Sequence, residues 1–214
     1  MWVVAERCIH LSPAPQNLEI LKRNVELNSY SDRVELYNLA AGDNTGEATI
    51  EISGYSNTHK VVFSKSHRNK KQNYINVKMI TIDEFVKDRH VDLIRMDVEG
   101  FEYCILKGMK QLLNTEGNLK IFIEVHSWLI EEYGGSIEEM LKLLSNSNFN
   151  VNYLLLGKKP RFSISRRAVG EAPYPERVIE YRQPLRTLIT DEEIGKVLLD
   201  PRGGYHIFLE KSAT

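Results

Sequence analysis

Only two cysteines occur in 214 residues, Cys8 and Cys104, far apart and without a CxxC spacing. That excludes a disulfide-stapled scaffold and a thiolate zinc ribbon, so both cysteines read as small buried hydrophobes in a reducing compartment. Long apolar runs are missing too, and none approaches the roughly 20 residues of a membrane span. Charge is balanced, with 28 Lys and Arg against 29 Asp and Glu for a formal net charge of −1. No global field therefore draws the chain to nucleic acid or to an anionic membrane. Met1 to Pro13 lacks the basic start and apolar centre of a signal peptide, so the expected location is the cytoplasm. Internal repeats and low-complexity tracts are absent as well.

The sequence does carry an alternation of strand and helix patterns. Cys8–Leu11 is a short apolar run stopped by Pro13 and Pro15, which suit a helix start. Leu18, Leu21, Val25 and Leu27 then recur near helical spacing up to Asn28-Ser29. A strand is expected over Val34–Ala40, an antiparallel or edge strand over Ala48–Ile52, and another strand over Ile75–Ile80. Thr81 and Glu84 have the spacing of a capping box at a short helix. Phe101, Ile105, Met109 and Leu112 give one helical stripe, and Leu119–His126 reads as a buried strand. Ser136 to Leu144 is a capped amphipathic helix, and Phe149–Leu156 and Tyr205–Leu209 close the series. Two basic stretches interrupt it. One holds Lys60, Lys65, His67, Arg68, Lys70 and Lys71; the other, within an excursion over about 158–201, holds six arginines. Each either meets an anion or is a solvated loop. Length and pattern predict one α/β domain over residues 1–214 with an antiparallel sheet edge.

The stretch Val91 to Glu102 organises the rest. A β-branched apolar run ends in Asp97, Glu99 and Glu102 around Gly100, at the strand end where open α/β sheets bind ligands. Two readings stand side by side. The three carboxylates simply favour the following helix N-terminus, by about 0.3–1 kcal/mol each. Alternatively, Asp97 acts as general base or metal ligand, Glu99 shapes the site or binds the acceptor, and Glu102 supports the loop. Glu124 and His126, two residues apart, share one face of their strand. If the two strands are neighbours, Asp97, Glu124 and His126 meet. That cluster then holds a divalent cation, lets His126 deprotonate an alcohol, or only orients the loop. The other histidines, His206 among them, read as structural or surface residues.

Four blocks in this order resemble the FkbM-type methyltransferases. Ser12-Pro13-Ala14-Pro15-Gln16-Asn17 with Leu21, Asn24 and Asn28 is similar to the family run E-P-x-P-x-N…L…N…N. Ile80–Phe85 resembles the segment before the family's fourth strand. Asp92–Gly108 is similar to its main signature, and Ile123–His126 to its fifth-strand ending. The resemblance implies a Rossmann-like sheet, mostly parallel with an antiparallel edge, and methylation of a hydroxyl on a small molecule or glycan. It also implies S-adenosylmethionine as cofactor, with Ser12, Asn38, Leu39, Ala40 and Asp97 as candidate cofactor residues. Asp97, Glu99, Glu124 and His126 are the candidate catalytic residues. Two departures weaken the cofactor side. No D-x-G-A-x-x-G segment precedes Cys8, so the first strand and glycine loop are expected to be lacking. Ser12 stands where the family has a glutamate, and one hydroxyl replaces a bidentate acceptor of ribose hydroxyls. The expectation is thus an N-terminally truncated methyltransferase-like domain, or one whose gap is filled by another segment, a second copy or a partner chain. The alternative is a non-catalytic remnant or binding scaffold of the same fold. No membrane partner and no nucleic acid are expected.

Overall fold

The computed structural model describes residues 6–52, 60–62, 73–156, 177–201 and 204–211. They gather into two compact units, 1–85 and 86–214.

In the first unit, β1 (Cys8–Leu11) leads through Pro13 into α1 (Pro15–Leu27), which starts with proline in its first turn. Proline's fixed φ suits that position and its missing N–H costs nothing there. The strand β2 (Val34–Tyr37) lies parallel to β1, with Cys8 opposite Val34. The single strand expected over Val34–Ala40 is broken at Asn38-Leu39. Asn38 Nδ2 donates to the carbonyls of Ser12 and Pro13, at 2.9 and 3.0 Å, which pulls the chain out of the ladder. The next strand, β3 (Ala40–Ala41), joins a different sheet with β4 (Gly46–Ile52), β5 (Lys60–Val62) and β6 (Asn73–Ile80), in the order β3-β6-β4-β5. β4 is antiparallel to β5 and β6, as the alternation in its sequence implies. The short helix α2 (Ile82–Val86) begins where the capping box places it, with the Glu84 amide donating to Thr81 Oγ1 at 3.2 Å. Of the first basic stretch, Lys60 lies on β5; Lys65, His67, Arg68, Lys70 and Lys71 lie outside the described residues. Of the six arginines in the second stretch, Arg161, Arg166 and Arg167 lie outside them too.

The second unit runs β7 (Leu93–Met96), α3 (Glu102–Lys107), α4 (Lys110–Asn114), β8 (Lys120–His126), α5 (Ser127–Ile130) and α6 (Ile137–Asn146). It continues with β9 (Phe149–Leu156), β10 (Arg177–Pro184), α7 (Leu185–Thr190), α8 (Ile194–Leu198) and β11 (Gly204–Lys211). The sheet order is β10-β9-β11-β8-β7. Only β7–β8 is parallel there; the other three pairings are antiparallel. Over all described strands, antiparallel ladders outnumber parallel ones, which corrects the expectation of a mostly parallel sheet. The difference comes from β9, β10 and β11, whose ladders with one another and with β8 all run antiparallel. The unreadable excursion supplies β10, α7 and α8.

Along β8, Ile121, Ile123 and Val125 are fully buried while Phe122 and Glu124 are half-buried, a period of two. Val151 and Leu154 of β9, Ile207 and Leu209 of the neighbouring β11, and Met140, Leu141 and Leu144 of α6 are buried as well, and α6 packs on β9 and α3. One expected helix from Phe101 to Leu112 is instead two. Gly108, poor in helix propensity, ends α3, its amide bonding back to the Cys104 and Ile105 carbonyls. The inward stripe survives the break, because Phe101, Ile105 and Met109 all stay buried. Cys104 is buried as expected, whereas Cys8 is exposed, and both are free thiols. β7 has β8 as its one partner strand among the described residues, and Leu93 on it is 54% exposed. No described helix is long and apolar enough to cross a membrane.

Candidate functional site

The parallel register of β7 and β8, with Met96 opposite Ile123, brings the C-terminal ends of the two strands side by side. Asp97 comes directly after β7 and is held by Arg95, whose guanidinium lies 3.1 Å from Asp97 Oδ2. Then the backbone turns sharply. Glu99 has φ +51° and Gly100 φ +94°, the left-handed region that only glycine enters without strain. Gly100 also leaves no room for a side chain, since a Cβ there would lie 2.3 Å from Leu129 Cβ. This turn sends the Glu99 side chain toward the end of β8 and starts α3 at Glu102.

His126, the last residue of β8, is the hub. It is only 7% exposed. Its Nδ1 lies 2.8 Å from Glu102 Oε1, and Glu102 is completely buried. The Gly100 amide donates to the same oxygen at 3.2 Å, while Glu102 Oε2 is buried without a hydrogen-bond partner among the described residues. On the other side of the ring, Nε2 lies 3.8 Å from both Glu99 Oε2 and Glu124 Oε1. Those distances are too long for hydrogen bonds. Glu124 in turn sets Oε2 3.2 Å from Nε2 of His206, its cross-strand partner on β11. The His206 ring stacks on Phe122 with centroids 5.7 Å apart.

Electrostatics follow from this crowding. Burial alone would pull the His126 imidazolium below its ordinary pKa. The Glu102 hydrogen bond and the charges of Glu102, Glu99 and Glu124 outweigh burial and lift it above 6.5. Glu99 is raised above 4.5, first by burial and then by the like charges of Asp97, Glu124 and Glu102, with His126 opposing. The cluster is a set of acids around a single imidazole.

The structure therefore brings together Asp97, Glu99, Glu124 and His126. Donor atoms of Asp97, Glu99 and His126 all lie within 4.8 Å of one another, and Glu124 faces His126 and His206 instead of completing that trio. Acidic groups at such spacing are common without an ion. Sequence reasoning gave Glu102 a supporting role in the loop and set His206 aside. A signal for Glu102 existed: it is a carboxylate embedded in the apolar run around Phe101, Cys104, Ile105 and Leu106. His206 had none, since its partner is fixed by the β8–β11 register.

The remaining cofactor candidates, Ser12, Asn38, Leu39 and Ala40, belong to the first unit. Ser12 is buried, and its amide donates to the Tyr37 carbonyl. Asn38 engages its side-chain N–H groups in the β1–α1 turn, leaving Oδ1 as the acceptor it can offer. Ala40 is buried on β3.

Residues 3–151 match the methyltransferase FkbM domain, well over half of the chain, with every candidate from Ser12 to His126 inside the match. The chain belongs to the FkbM methyltransferase family. Among solved structures, the chain is similar to methyltransferase FkbM from Methylobacillus flagellatus KT, with 21% identity and a TM-score of 0.38. That similarity covers 56% of this FkbM-family chain and 26% of the other, so the match spans about a quarter of that relative's length. No curated protein matches the chain.

Proposed function

We propose that this chain is an S-adenosylmethionine-dependent methyltransferase acting on the oxygen of a hydroxyl-bearing small molecule or glycan, in a reducing compartment such as the cytoplasm. The observation that carries the reading is the meeting of Asp97, Glu99, Glu124 and His126 at the ends of β7 and β8, with His126 held from behind by buried Glu102. An alcohol is a poor nucleophile until a base takes its proton, and an oriented imidazole among carboxylates is suited to that task. S-adenosylmethionine supplies an electrophilic methyl group on a positively charged sulfur. The chemistry of the donor set fits that charge: Asp97 at the strand end would meet its cationic methionine portion. Orienting acceptor and methyl group in line would supply much of the rate.

A second reading, a binding scaffold without turnover, is favoured by Ser12. It offers a single hydroxyl where the family carries a glutamate. Titration calorimetry with S-adenosylmethionine, followed by radiolabelled methyl transfer to a panel of hexoses and methyl glycosides, separates the two. Binding with transfer supports the enzyme. No heat at millimolar cofactor rejects it and leaves the scaffold.

A further inference from the structure

Burying an unpaired carboxylate costs several kcal/mol, and a buried ion pair is often no more stabilising than well-packed apolar groups. Glu102 is nonetheless fully buried, and its one charge partner among the described residues is His126. Its hydrogen bonds are concentrated on Oε1, with Oε2 unpartnered. The Gly100 amide fixes that oxygen from the loop side while the ring is fixed from the strand side. His126 Nε2 makes no hydrogen bond among the described residues and faces the part-exposed carboxylates of Glu99 and Glu124. One ring nitrogen is bound inside, and the other lies on the side of the part-exposed acids.

We propose that Glu102 is the positioning residue of the site: it accepts the Nδ1 proton of His126 and so leaves the Nε2 lone pair as the proton acceptor for the hydroxyl being methylated. The inference rests on the O-methylation reading. In neutral imidazole one nitrogen donates and the other accepts, so a carboxylate at Nδ1 selects the tautomer. When the acceptor hydroxyl reacts, its O–H bond breaks with the electron pair left on oxygen, and the proton joins Nε2. Oxygen's pair would make the bond to the methyl carbon of the donor, as that carbon's bond to the sulfonium sulfur breaks and its electron pair returns to the sulfur, which leaves as a neutral thioether. The imidazolium that forms is stabilised by Glu102 on one side and by Glu99 and Glu124 on the other. Asp97, exposed and tied to Arg95, makes no hydrogen bond to the ring among the described residues. The arrangement follows the general logic of a base oriented by a buried acid.

The test begins with the unsubstituted chain. With ¹⁵N-histidine labelling, and the His126 signals assigned through His126→Gln, the neutral ring is expected to carry its proton on Nδ1. A neutral His126 protonated on Nε2 overturns the proposal without any substitution at Glu102, so a misfolded variant cannot protect it. Glu102→Gln, which keeps the shape and loses the charge, is expected to lower kcat by about 10²-fold, with the KM for the hydroxyl-bearing acceptor changed less than threefold. Unchanged kcat in a folded Glu102→Gln protein also overturns it. An unsubstituted chain that binds cofactor and methylates nothing on the panel defeats the functional reading instead, and the tautomer still decides the role of Glu102.

Discussion

A methyl group on Gly100 would stand 2.3 Å from Leu129 Cβ, inside any permitted contact, on a backbone already at φ +94°. Gly100→Ala should therefore destabilise the protein by at least about 2 kcal/mol, seen as a lower urea midpoint with unchanged slope. The same substitution would displace Glu99 and Glu102 together, because the turn orients both. His126 supports a different measurement. Its pKa is raised in the folded chain, so it binds its proton more tightly there than unfolded. The resulting stabilisation is fully present below 6.5 and is lost as pH rises through the higher folded value. Urea unfolding monitored upward from pH 6 should show that decline, and His126→Gln should remove that part of the slope. A His126→Gln protein with the same pH dependence as the unsubstituted chain would refute the assignment.

At the scale of elements, residues whose partners are local in sequence were readable, and those whose partners are set by sheet register were not. Ser136 heads α6, and its hydroxyl accepts the Glu139 amide at 3.1 Å, as the spacing implied. Ser136→Ala is expected to cost about 1 kcal/mol, measurable by chemical denaturation. The capping box at Thr81 and the period of two along β8 were equally visible. The split between β2 and β3 was not, because it depends on Asn38 reaching back 26 residues to Ser12. Nor was the break between α3 and α4. A lone glycine within a helical stripe is tolerated in many helices, and the stripe itself stayed in phase through Met109. The candidate site divides along the same line. Asp97, Glu99 and Glu124 stand out as acids at strand ends, and His126 as their companion. That Glu102 points inward to the ring, and that Glu124 pairs across to His206, are outcomes of packing that spacing alone does not encode.

For the whole molecule, the four sequence blocks that resemble the FkbM family lie inside residues 3–151, where the family match falls. The antiparallel finish through β9, β10 and β11 lies largely beyond it. There, proline and arginine content obscured a strand and two short helices. The two compact units left no mark in composition, since the boundary at residues 85 and 86 falls within a short helix. Net charge misleads in a related way. A total of −1 over 214 residues describes a nearly neutral protein, yet Asp97, Glu99, Glu102 and Glu124 converge on one imidazole. Such a local concentration of one sign ranks the molecules that approach it. Sugars or alcohols bearing a phosphate should be turned away, and those that are neutral or carry an amine admitted. In a transfer assay, a phosphorylated acceptor is expected to show a lower kcat/KM than its neutral parent, with the gap narrowing as salt is raised. An equal preference at low salt would contradict this. The acids that make the site reactive would then also be its filter, setting by charge alone which hydroxyls ever reach His126.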